Sequence, residues 1–541
     1  MKVFLGLFLA LFSLAVSAGV NLKNGNYYVS YSDIVVPGGG NDLEIIRTYN
    51  SKSPEMGWFG LGWGSDYETF LRVSADGSVI IHENGAGAHT RFTPKKAINP
   101  KDAAKKILEA MRKRAPVSDK VAKSLLKKLE NNQEFRQAYA RKYHVIASVP
   151  TGTVLYSNQR GLQQVHKIKE GYKRVYNDGK QEFFNNDGKL VKIVNKNGYK
   201  VTLKYKKDGN LESIKDSQAK QLFLSWYANG RVKNIWSAGD KKTLYKYDGV
   251  NLVYSKDIDG NIYEYSYDTN YNMSKISYTD KTNMQVKYDD KTKFVKEIIS
   301  RNGQSTKYEY GDNPENPDRH YWTYVTKKSI TGKPVRNKYE YEIKAKPDGS
   351  LYTYRIYTEV NNVKTETIYS ECCSLPLKIT RGKHVTQFDY NEKGLLTKKT
   401  STKGEYVELE YHKKFNKISK VTNKKGWTSF DYDKKGNLQK AVSSKGKSVM
   451  LFYDRKGRIT KMVDYSKKTK KKRTLSFVYG GLGKPVEIAM SGVGKINVAY
   501  DNYGEIKKVD SKSGQKMAIQ VTQAFQSLLA IVKPAGVNLS L

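Results

Sequence analysis

The sequence is poor in cysteine. Its only two cysteines, Cys372 and Cys373, are adjacent to each other in a chain of 541 residues. Two neighbouring thiols cannot build the disulfide framework of a small secreted domain, and they do not make a metal site by themselves. In an oxidising compartment they can form a strained vicinal disulfide, pair between two chains or stay as buried thiols. We interpret them as structural residues and expect no metal site.

Long apolar runs are absent after the first 18 residues. Lys2 precedes an apolar stretch over 3–16, and Val16-Ser17-Ala18 is typical of a small-residue cleavage site before Gly19. The stretch is too short to span a membrane stably. We therefore interpret residues 1–18 as a signal peptide. We expect a mature chain with no transmembrane segment, exported to the periplasm, the cell surface or the medium.

Motifs that carry catalysis or hold a nucleotide are also missing. The seven histidines show no HExxH spacing, and neither a GxSxG pattern nor a P-loop occurs. His82, Glu83 and His89 form the only cluster of candidate catalytic side chains. Asp and Glu pairs abound, but catalytic carboxylates cannot be told from turn residues, so a glycan hydrolase stays a third hypothesis. We expect a protein that is not an enzyme and needs no cofactor.

Acidic residues are scarce compared with basic ones. The chain has 53 aspartates and glutamates against 95 lysines and arginines, which gives a formal net charge of +42. An excess of lysine spread along the chain favours solubility and discourages edge-to-edge association of strands. A field of this size also attracts polyanions. Both interpretations of the charge stay open.

Tyrosine, in contrast, is abundant and periodic. The chain has 41 tyrosines and 17 phenylalanines, and an aromatic residue closes a short alternating stretch about every 21 residues. A fixed period of this size predicts a repeat architecture. The positions are Phe184, Tyr205, Tyr227, Tyr247, Tyr267, Tyr288 and Tyr310 in a first array, and Tyr390, Tyr411, Tyr432, Tyr453, Tyr479 and Tyr500 in a second.

Each repeat predicts two strands and two turns. Val201, Leu203 and Tyr205 alternate with polar residues, which places the three on one face of a strand. Asp208-Gly209 and similar Asn-Gly pairs are strong hairpin signals, because both residues of such a pair tolerate positive φ. Stacked repeats therefore predict a long antiparallel β-ribbon with an aromatic face and a lysine-rich face. Strand twist then winds the ribbon into a spiral shell or solenoid.

Composition divides the chain into seven segments. The signal peptide is followed by an N-terminal β-rich cap over 19–98, a basic helical insertion over 99–147, a first repeat block over 148–310, an irregular β segment over 311–389, a second repeat block over 390–510 and a C-terminal tail over 511–541. In the insertion, Asn99 fits an N-cap, Pro100 fits the first helical position, and Pro116 separates two apolar stripes. The tail contains a candidate helix over 517–532.

Two basic clusters are candidate contacts for a polyanion. One is the tip of a longer hairpin in the second block, and the other lies on the two predicted helices. A solvated loop tip and a solvated insertion packed on the cap are the alternative interpretations. The residues are Lys467, Lys468, Lys470, Lys471, Lys472 and Arg473 in the tip, and Arg112, Lys113, Arg114, Lys127 and Lys128 in the helices.

The repeat unit resembles the YD repeat of the RHS family. Tyr-Asp-x-x-Gly-x-Leu/Ile occurs over 432–438 and 453–459, and the segments 47–51 (RTYNS) and 60–63 (GLGW) look like the domain that precedes the repeats in bacterial RHS proteins. The resemblance implies an exported β-ribbon wound into a spiral shell or part of one. Three features depart from toxins of this family: about thirteen units, no Asp-Pro-x-Gly-Leu motif, and no segment of toxin size after residue 510.

Together these observations favour an exported, non-enzymatic protein that acts as a binding or scaffold module at the cell envelope or outside the cell. We expect its partner to be an anionic envelope polysaccharide, a lipopolysaccharide or another cell-surface polyanion. The alternative is a shell or chaperone component of an RHS-type toxin system, in which a partner protein or toxin cargo is encoded on another chain.

Overall fold

The computed structural model describes residues 17–37, 42–83, 87–94, 99–157, 163–176, 178–195, 198–239, 241–328, 330–347, 349–371, 374–481, 484–500, 506–510 and 514. Cys372, Cys373, the helix predicted over 517–532 and nearly all of the predicted signal peptide lie outside the described residues. No helix in the described part of the chain is long and apolar enough to cross a membrane.

Short strands build the N-terminal cap. Strands β1, β2, β3 and β6 form one antiparallel sheet, β7 to β9 form a second, and β4 pairs with β5. Their bounds are β1 (Ser17–Asn21), β2 (Asn26–Val36), β3 (Leu43–Asn50), β4 (Met56–Gly57), β5 (Gly60–Leu61), β6 (Trp63–Ser65), β7 (Phe70–Val73), β8 (Val79–His82) and β9 (His89–Phe92).

The helical insertion contains three helices, α1 (Pro100–Arg112), α2 (Asp119–Asn131) and α3 (Gln133–Lys142). The Asn99 side chain accepts a hydrogen bond from the Lys101 N–H, which confirms the predicted N-cap. The third helix was not predicted, because its buried face carries Arg136 rather than an apolar stripe. The Arg136 guanidinium donates to the carbonyl oxygen of Leu129 at 2.7 Å, so a buried charge caps the end of α2.

From Val154 onward the described chain is a single antiparallel meander in which every strand is adjacent to the next one along the chain. Strands β10 to β18 form a nine-stranded sheet and β19 to β42 form a 24-stranded sheet. The prediction of a mainly β chain with large antiparallel sheets and a small helical insertion is confirmed.

The bounds of the first nine ribbon strands are β10 (Val154–Ser157), β11 (Gln163–Ile168), β12 (Gly171–Val175), β13 (Gln181–Phe184), β14 (Leu190–Val194), β15 (Lys200–Tyr205), β16 (Leu211–Asp216), β17 (Gln221–Trp226) and β18 (Val232–Trp236). The larger sheet comprises β19 (Leu244–Asp248), β20 (Asn251–Lys256), β21 (Ile262–Tyr267), β22 (Met273–Tyr278), β23 (Asn283–Tyr288), β24 (Val295–Ile299), β25 (Ser305–Asp312), β26 (His320–Lys328), β27 (Val335–Ala345), β28 (Leu351–Val360), β29 (Val363–Tyr369), β30 (Pro376–Arg381), β31 (His384–Tyr390), β32 (Leu396–Ser401), β33 (Tyr406–Tyr411), β34 (Ile418–Asn423), β35 (Gly426–Tyr432), β36 (Leu438–Ser443), β37 (Lys447–Tyr453), β38 (Ile459–Ser466), β39 (Lys472–Tyr479), β40 (Pro485–Met490), β41 (Gly494–Tyr500) and β42 (Ile506–Asp510).

A β-bulge marks the aromatic position of nearly every repeat, the exception being Tyr310, where β25 pairs with β26 in unbroken register. In β15 the register against β16 shifts between Lys204 and Tyr205, and the turn that follows has Gly209 at a φ of 85°. Only the glycine of this turn has positive φ. The Asp208 side chain instead accepts the N–H of Asn210 at 2.9 Å, so the Asp of the Asp-Gly pair closes the turn through its carboxylate.

The repeats use tyrosine because its hydroxyl bonds the preceding repeat. The Tyr432 hydroxyl donates to the carbonyl oxygen of Ile418 at 2.6 Å, and Ile418 is the residue opposite the bulge of the previous repeat. A bulge takes that carbonyl out of the regular ladder, so the tyrosine supplies its missing donor. The same bond joins Tyr205 to Leu190, Tyr247 to Val232, Tyr267 to Leu252, Tyr288 to Met273, Tyr310 to Val295, Tyr390 to Pro376, Tyr411 to Leu396, Tyr453 to Leu438, Tyr479 to Ile459 and Tyr500 to Pro485.

One assigned repeat position is wrong. Trp226, and not Tyr227, occupies the bulge, and its indole N–H donates to the carbonyl oxygen of Leu211 at 2.7 Å. The Tyr227 hydroxyl donates to the carbonyl oxygen of Tyr245 instead. Tryptophan can replace tyrosine here because its N–H is also a donor at the end of a long apolar ring.

The first block packs against the cap, and the two share one apolar core that extends from Tyr27 to Val295. A second core covers Val407 to Met490 in the second block. None of the described residues between 309 and 395 belongs to either core. The irregular segment therefore separates two packed bodies of the ribbon.

A buried ion pair fastens the cap to the first block. The guanidinium of Arg47 on β3 bonds the carboxylate of Asp33 on β2 at 2.8 Å, and both side chains are at most 1% exposed. The Tyr245 hydroxyl donates to the same carboxylate at 2.8 Å, while Arg47 also donates to Tyr265 and Ser255 of the ribbon. The motif residues at 47–51 are therefore at the junction between cap and ribbon.

Candidate functional site

Exposed basic residues line one rim of the second block. The turns after β31, β33, β35 and β37 lie on the same side of the sheet because consecutive strands run in opposite directions. We call their exposed basic tips the lysine ridge. Its residues are Lys393, Lys413, Lys414, Lys434, Lys435, Arg455 and Lys456.

The ridge forms a regular row of charge. Successive turns are two strands apart, which corresponds to about 9.5 Å along the sheet. This spacing is no longer than the screening length of about 10 Å at 0.1 M salt, so the fields of neighbouring turns overlap. A linear polyanion that crosses the strands would meet a new basic tip at every repeat.

The carboxylates of the ridge turns offset only part of the ridge charge, because Glu392, Asp433 and Asp454 are outnumbered by its seven basic residues. Asp433 Oδ1 accepts the backbone N–H groups of Lys435 and Asn437, each at 2.8 Å. Burial raises the pKa of Asp433, but the hydrogen bonds from Asn437 and the backbone outweigh it, and the net pKa lies below its ordinary value. The carboxylate is thus ionised but serves its own turn. Within the described chain, none of the ridge side chains forms an ion pair.

The ridge belongs to the second block alone. The corresponding turns of the first block read NNDG over 185–188, KKDG over 206–209, YANG over 227–230, DG over 248–249, DTNY over 268–271 and DDKTK over 289–293, so only one of them carries two adjacent lysines. The sequence signal for the ridge was a basic pair at a constant offset after the repeat tyrosine. It appears at 413–414, 434–435 and 455–456, and our sequence reasoning overlooked it.

The predicted hairpin tip lies on the opposite rim, between β38 and β39. Lys467, Lys468, Lys470, Lys471 and Lys472 are exposed there. Arg473 differs from them, because its guanidinium is paired with the carboxylate of Asp464, with Nε and Oδ2 3.0 Å apart. The structure therefore separates this tip from the ridge, and its role as a polyanion contact stays a prediction.

The predicted helical cluster is partly engaged in local contacts. Arg112 pairs with Asp119 at 2.9 Å, and the guanidinium of Arg114 lies 5.4 Å from the ring centroid of Tyr143. Lys113, Lys127 and Lys128 are exposed. These side chains stay candidate contacts.

The histidine cluster is a packing contact in the cap. The His82 ring stacks on Phe70 at 4.4 Å between centroids, and burial, together with the neighbouring His89, lowers the pKa of His82 to about 3. The Glu83 carboxylate is bonded by the Arg174 guanidinium at 2.7 Å. A histidine that stays neutral and a carboxylate held by arginine are poorly suited to proton transfer at neutral pH.

One further cluster has the geometry for a metal ion. Ligand atoms of His320, Glu340 and Glu342 lie within 4.8 Å of one another on β26 and β27. However, Glu340 is paired with Lys338 at 2.7 Å, and Glu342 is bonded by the Arg355 guanidinium. These cations already neutralise the carboxylates, so we interpret the cluster as an ion-pair network that joins three strands.

Comparisons with known proteins cover the N-terminal part and the fold. Residues 17–92 match a family model described as a domain of unknown function, DUF6531. No curated protein matches the chain. Similar solved structures include the Tc holotoxin pore of Photorhabdus luminescens, with 12% identity and a TM-score of 0.39 over 90% of this chain. The TcdB2–TccC3 crystal structure gives 12% identity and a TM-score of 0.38 over 90% of this chain.

This chain spans only 29% and 30% of the lengths of those two chains. The finer assignment to YD repeats stays a prediction. The matched N-terminal domain and the β-rich layout agree with the coarser resemblance to RHS-like proteins.

Proposed function

We propose that this protein is an exported, non-enzymatic binding module whose lysine ridge holds an anionic polymer of the cell envelope or cell surface. The single observation that supports this proposal is the row of exposed basic turn tips, in which seven lysines and arginines outnumber the three carboxylates of the same turns, Glu392, Asp433 and Asp454. Single surface lysines are common, but a row with a fixed spacing is a multivalent surface.

The fold keeps the row in register. Each ridge turn follows a tyrosine whose hydroxyl is bonded to the repeat before it, as with Tyr411 to Leu396 and Tyr453 to Leu438. The turns are therefore held at fixed positions before a polymer arrives, which reduces the entropy that binding costs. An anionic polysaccharide or lipopolysaccharide would release counterions as it binds along the ridge, and its affinity would fall with salt.

Charge reversal on the ridge tests the proposal. We compare the variant K413E/K434E/K456E with the control K207E/K281E/K291E, which makes the same change in net charge at exposed turn tips of the first block. Co-sedimentation with purified envelope polysaccharide is measured at several salt concentrations. The ridge variant should bind at least about tenfold more weakly and reduce the slope of log affinity against log salt by about two units. Equal losses in both variants would contradict a ridge-specific contact.

A second function, that of a shell for another chain, is favoured by a different observation. One face of the sheet formed by β26 to β28 is turned toward the cap. Thr323 lies on this face, and its hydroxyl donates to the carbonyl oxygen of Leu22 in the cap. On this face Tyr321, Tyr339 and Ile356 are only partly buried, and the apolar cores of the two blocks do not extend here. A protein partner could cover them. Loss of a co-purifying partner in the variant Y321K/I356K, with polysaccharide binding unchanged, would support this second function.

A further inference from the structure

The ridge meets the first block at a cleft. The turn between β33 and β34 lies opposite the turn between β12 and β13, although the two are far apart in the chain, and together they enclose a space of about 340 Å³. This volume lies within the range of small-molecule sites, roughly 300–1,000 Å³. The cleft is therefore a concave place on an otherwise convex row of charges.

Two aromatic residues line the cleft, one from each block. Tyr176 comes from the first block, and its ring lies 4.2 Å from the guanidinium of Arg174. Phe415 comes from the ridge, where its ring stacks on His412 at 4.8 Å between centroids. A Cβ at Gly436 would lie 3.0 Å from the Phe415 ring, so the glycine leaves room for that ring. Both rings are thus held in place by neighbours.

The polar groups of the cleft have both signs. Lys414 and Lys435 of the ridge supply cations, whereas Asp178 supplies a carboxylate. The Asn416 Oδ1 atom already accepts from the Lys393 ammonium at 2.9 Å. A site for a phosphate polymer would be weakened by the Asp178 carboxylate, which repels anions. A ligand that carries one anionic group and several hydroxyl donors would use both kinds of group, and its ring carbons would pack against the two aromatic faces.

We propose that this cleft binds one residue of a uronic-acid polysaccharide. The sugar carboxylate lies between Lys414 and Lys435, its ring packs between Phe415 and Tyr176, and its hydroxyls donate to Asp178. This inference rests on the proposed function, because the ridge supplies general attraction for the polymer. The cleft then determines which anionic polymer is preferred.

The adjacent lysine pairs of the ridge provide a matched test. Lys414 and Lys435 line the cleft, whereas their chain neighbours Lys413 and Lys434 sit on the same two turns and do not line it. We compare the variant K414Q/K435Q with the control K413Q/K434Q, which removes the same charge. The probe is a glucuronate-containing tetrasaccharide, and its affinity is measured by calorimetry alongside that of a short inorganic polyphosphate.

The cleft variant should lose at least about tenfold in affinity for the tetrasaccharide, and the control less than about threefold. The variant F415A removes a ring without changing charge and should lose a similar factor, whereas F452A, at an exposed phenylalanine outside the cleft, should lose none. Equal losses in the two lysine variants, or a wild type that binds polyphosphate as tightly as the tetrasaccharide, would contradict the uronic-acid site in the cleft. Either result would still be compatible with polyanion binding along the ridge. A wild type that binds neither probe nor any long polyanion would overturn both.

Discussion

Replacing Asp33 by asparagine should uncouple the cap from the first block. In the native structure Asp33 accepts two hydrogen bonds from the Arg47 guanidinium, at 2.8 and 3.0 Å, and one from the Tyr245 hydroxyl. Burial lowers the pKa of Arg47, but Asp33 more than offsets it, so the arginine stays charged. The variant D33N keeps the size of the side chain and removes its charge. Its amide NH2 group replaces one carboxylate oxygen, so an N–H donor would face the N–H donors of Arg47.

The cost follows from the burial of the pair. Removing one partner of a buried ion pair leaves an uncompensated charge and destabilises the fold by about 3–5 kcal/mol. The variant R47M should recover part of this loss in the D33N background, because no buried charge then remains. A double-mutant cycle over D33N and R47M therefore measures the coupling between the two side chains.

Urea unfolding followed by tryptophan fluorescence provides the assay. Trp58, Trp63 and Trp226 pack in the shared core of cap and first block, whereas Trp427 lies in the second block on β35. In D33N we expect the transition reported by the first group to move to lower urea by about 1–2.5 M, which corresponds to about 3–5 kcal/mol at a slope of about 2–3 kcal/mol/M. The transition reported by Trp427 should not move.

Two results would refute this reasoning. A common shift of both transitions would mean that the two blocks unfold as one unit, contrary to their separate cores. No shift in either transition would mean that the Arg47–Asp33 pair is hydrated or dispensable. The variant W427F is the control that assigns the second transition.

Three further changes have defined outcomes. Removing the Tyr432 hydroxyl in Y432F should cost about 1 kcal/mol in chemical denaturation because the Ile418 carbonyl loses its donor, whereas Y465F, at an exposed tyrosine, should be neutral. Burial raises the pKa of the Glu68 carboxyl to about 8, so the folded protein keeps a proton that the unfolded chain loses near pH 4.5. The free energy of unfolding should therefore fall as pH rises from about 4.5 to 8. Thermal melts across this pH range should show a flatter profile for E68Q, and an unchanged profile would contradict the assignment. Gly188 has a φ of 81°, and a Cβ there would lie 2.0 Å from the carbonyl oxygen of Leu71. Gly198 has the same φ, but no atom lies within 4 Å of a Cβ at that position. The variant G188A should therefore lower Tm clearly more than the control G198A.

The sequence predicted the repeat, the strands and most of the aromatic repeat positions, because a period of 21 residues and two-residue alternation are local signals. It did not predict the bulges at those positions. One repeat position was placed at Tyr227 instead of Trp226, because the indole N–H of Trp226 supplies the donor that tyrosine supplies in the other repeats. The sequence did not predict α3, because the buried side of that helix is a charged Arg136 satisfied by backbone carbonyls.

The candidate site was less accessible to sequence reasoning. The two basic clusters that the sequence singled out stand out as local runs of charge, whereas the ridge consists of short basic pairs one repeat apart. Only a meander of alternating direction places those pairs on one rim. The cleft depends on the turn after β12 lying opposite the turn after β33, and no local pattern predicts that two turns so far apart in the chain line one space.

The bond from each repeat tyrosine to the previous bulge has a consequence for how such a chain can change in length. Because Tyr432 depends on Ile418 and Tyr453 on Leu438, each unit needs only its immediate predecessor. Excision of one whole unit would bring the next tyrosine to an equivalent carbonyl, and the ribbon would close up around the gap. A deletion of half a unit would leave a donor and an acceptor on opposite rims. Gain and loss of material in this architecture is therefore expected in whole units, and in the second block a unit such as the one at 432–452 carries its own pair of ridge lysines in or out.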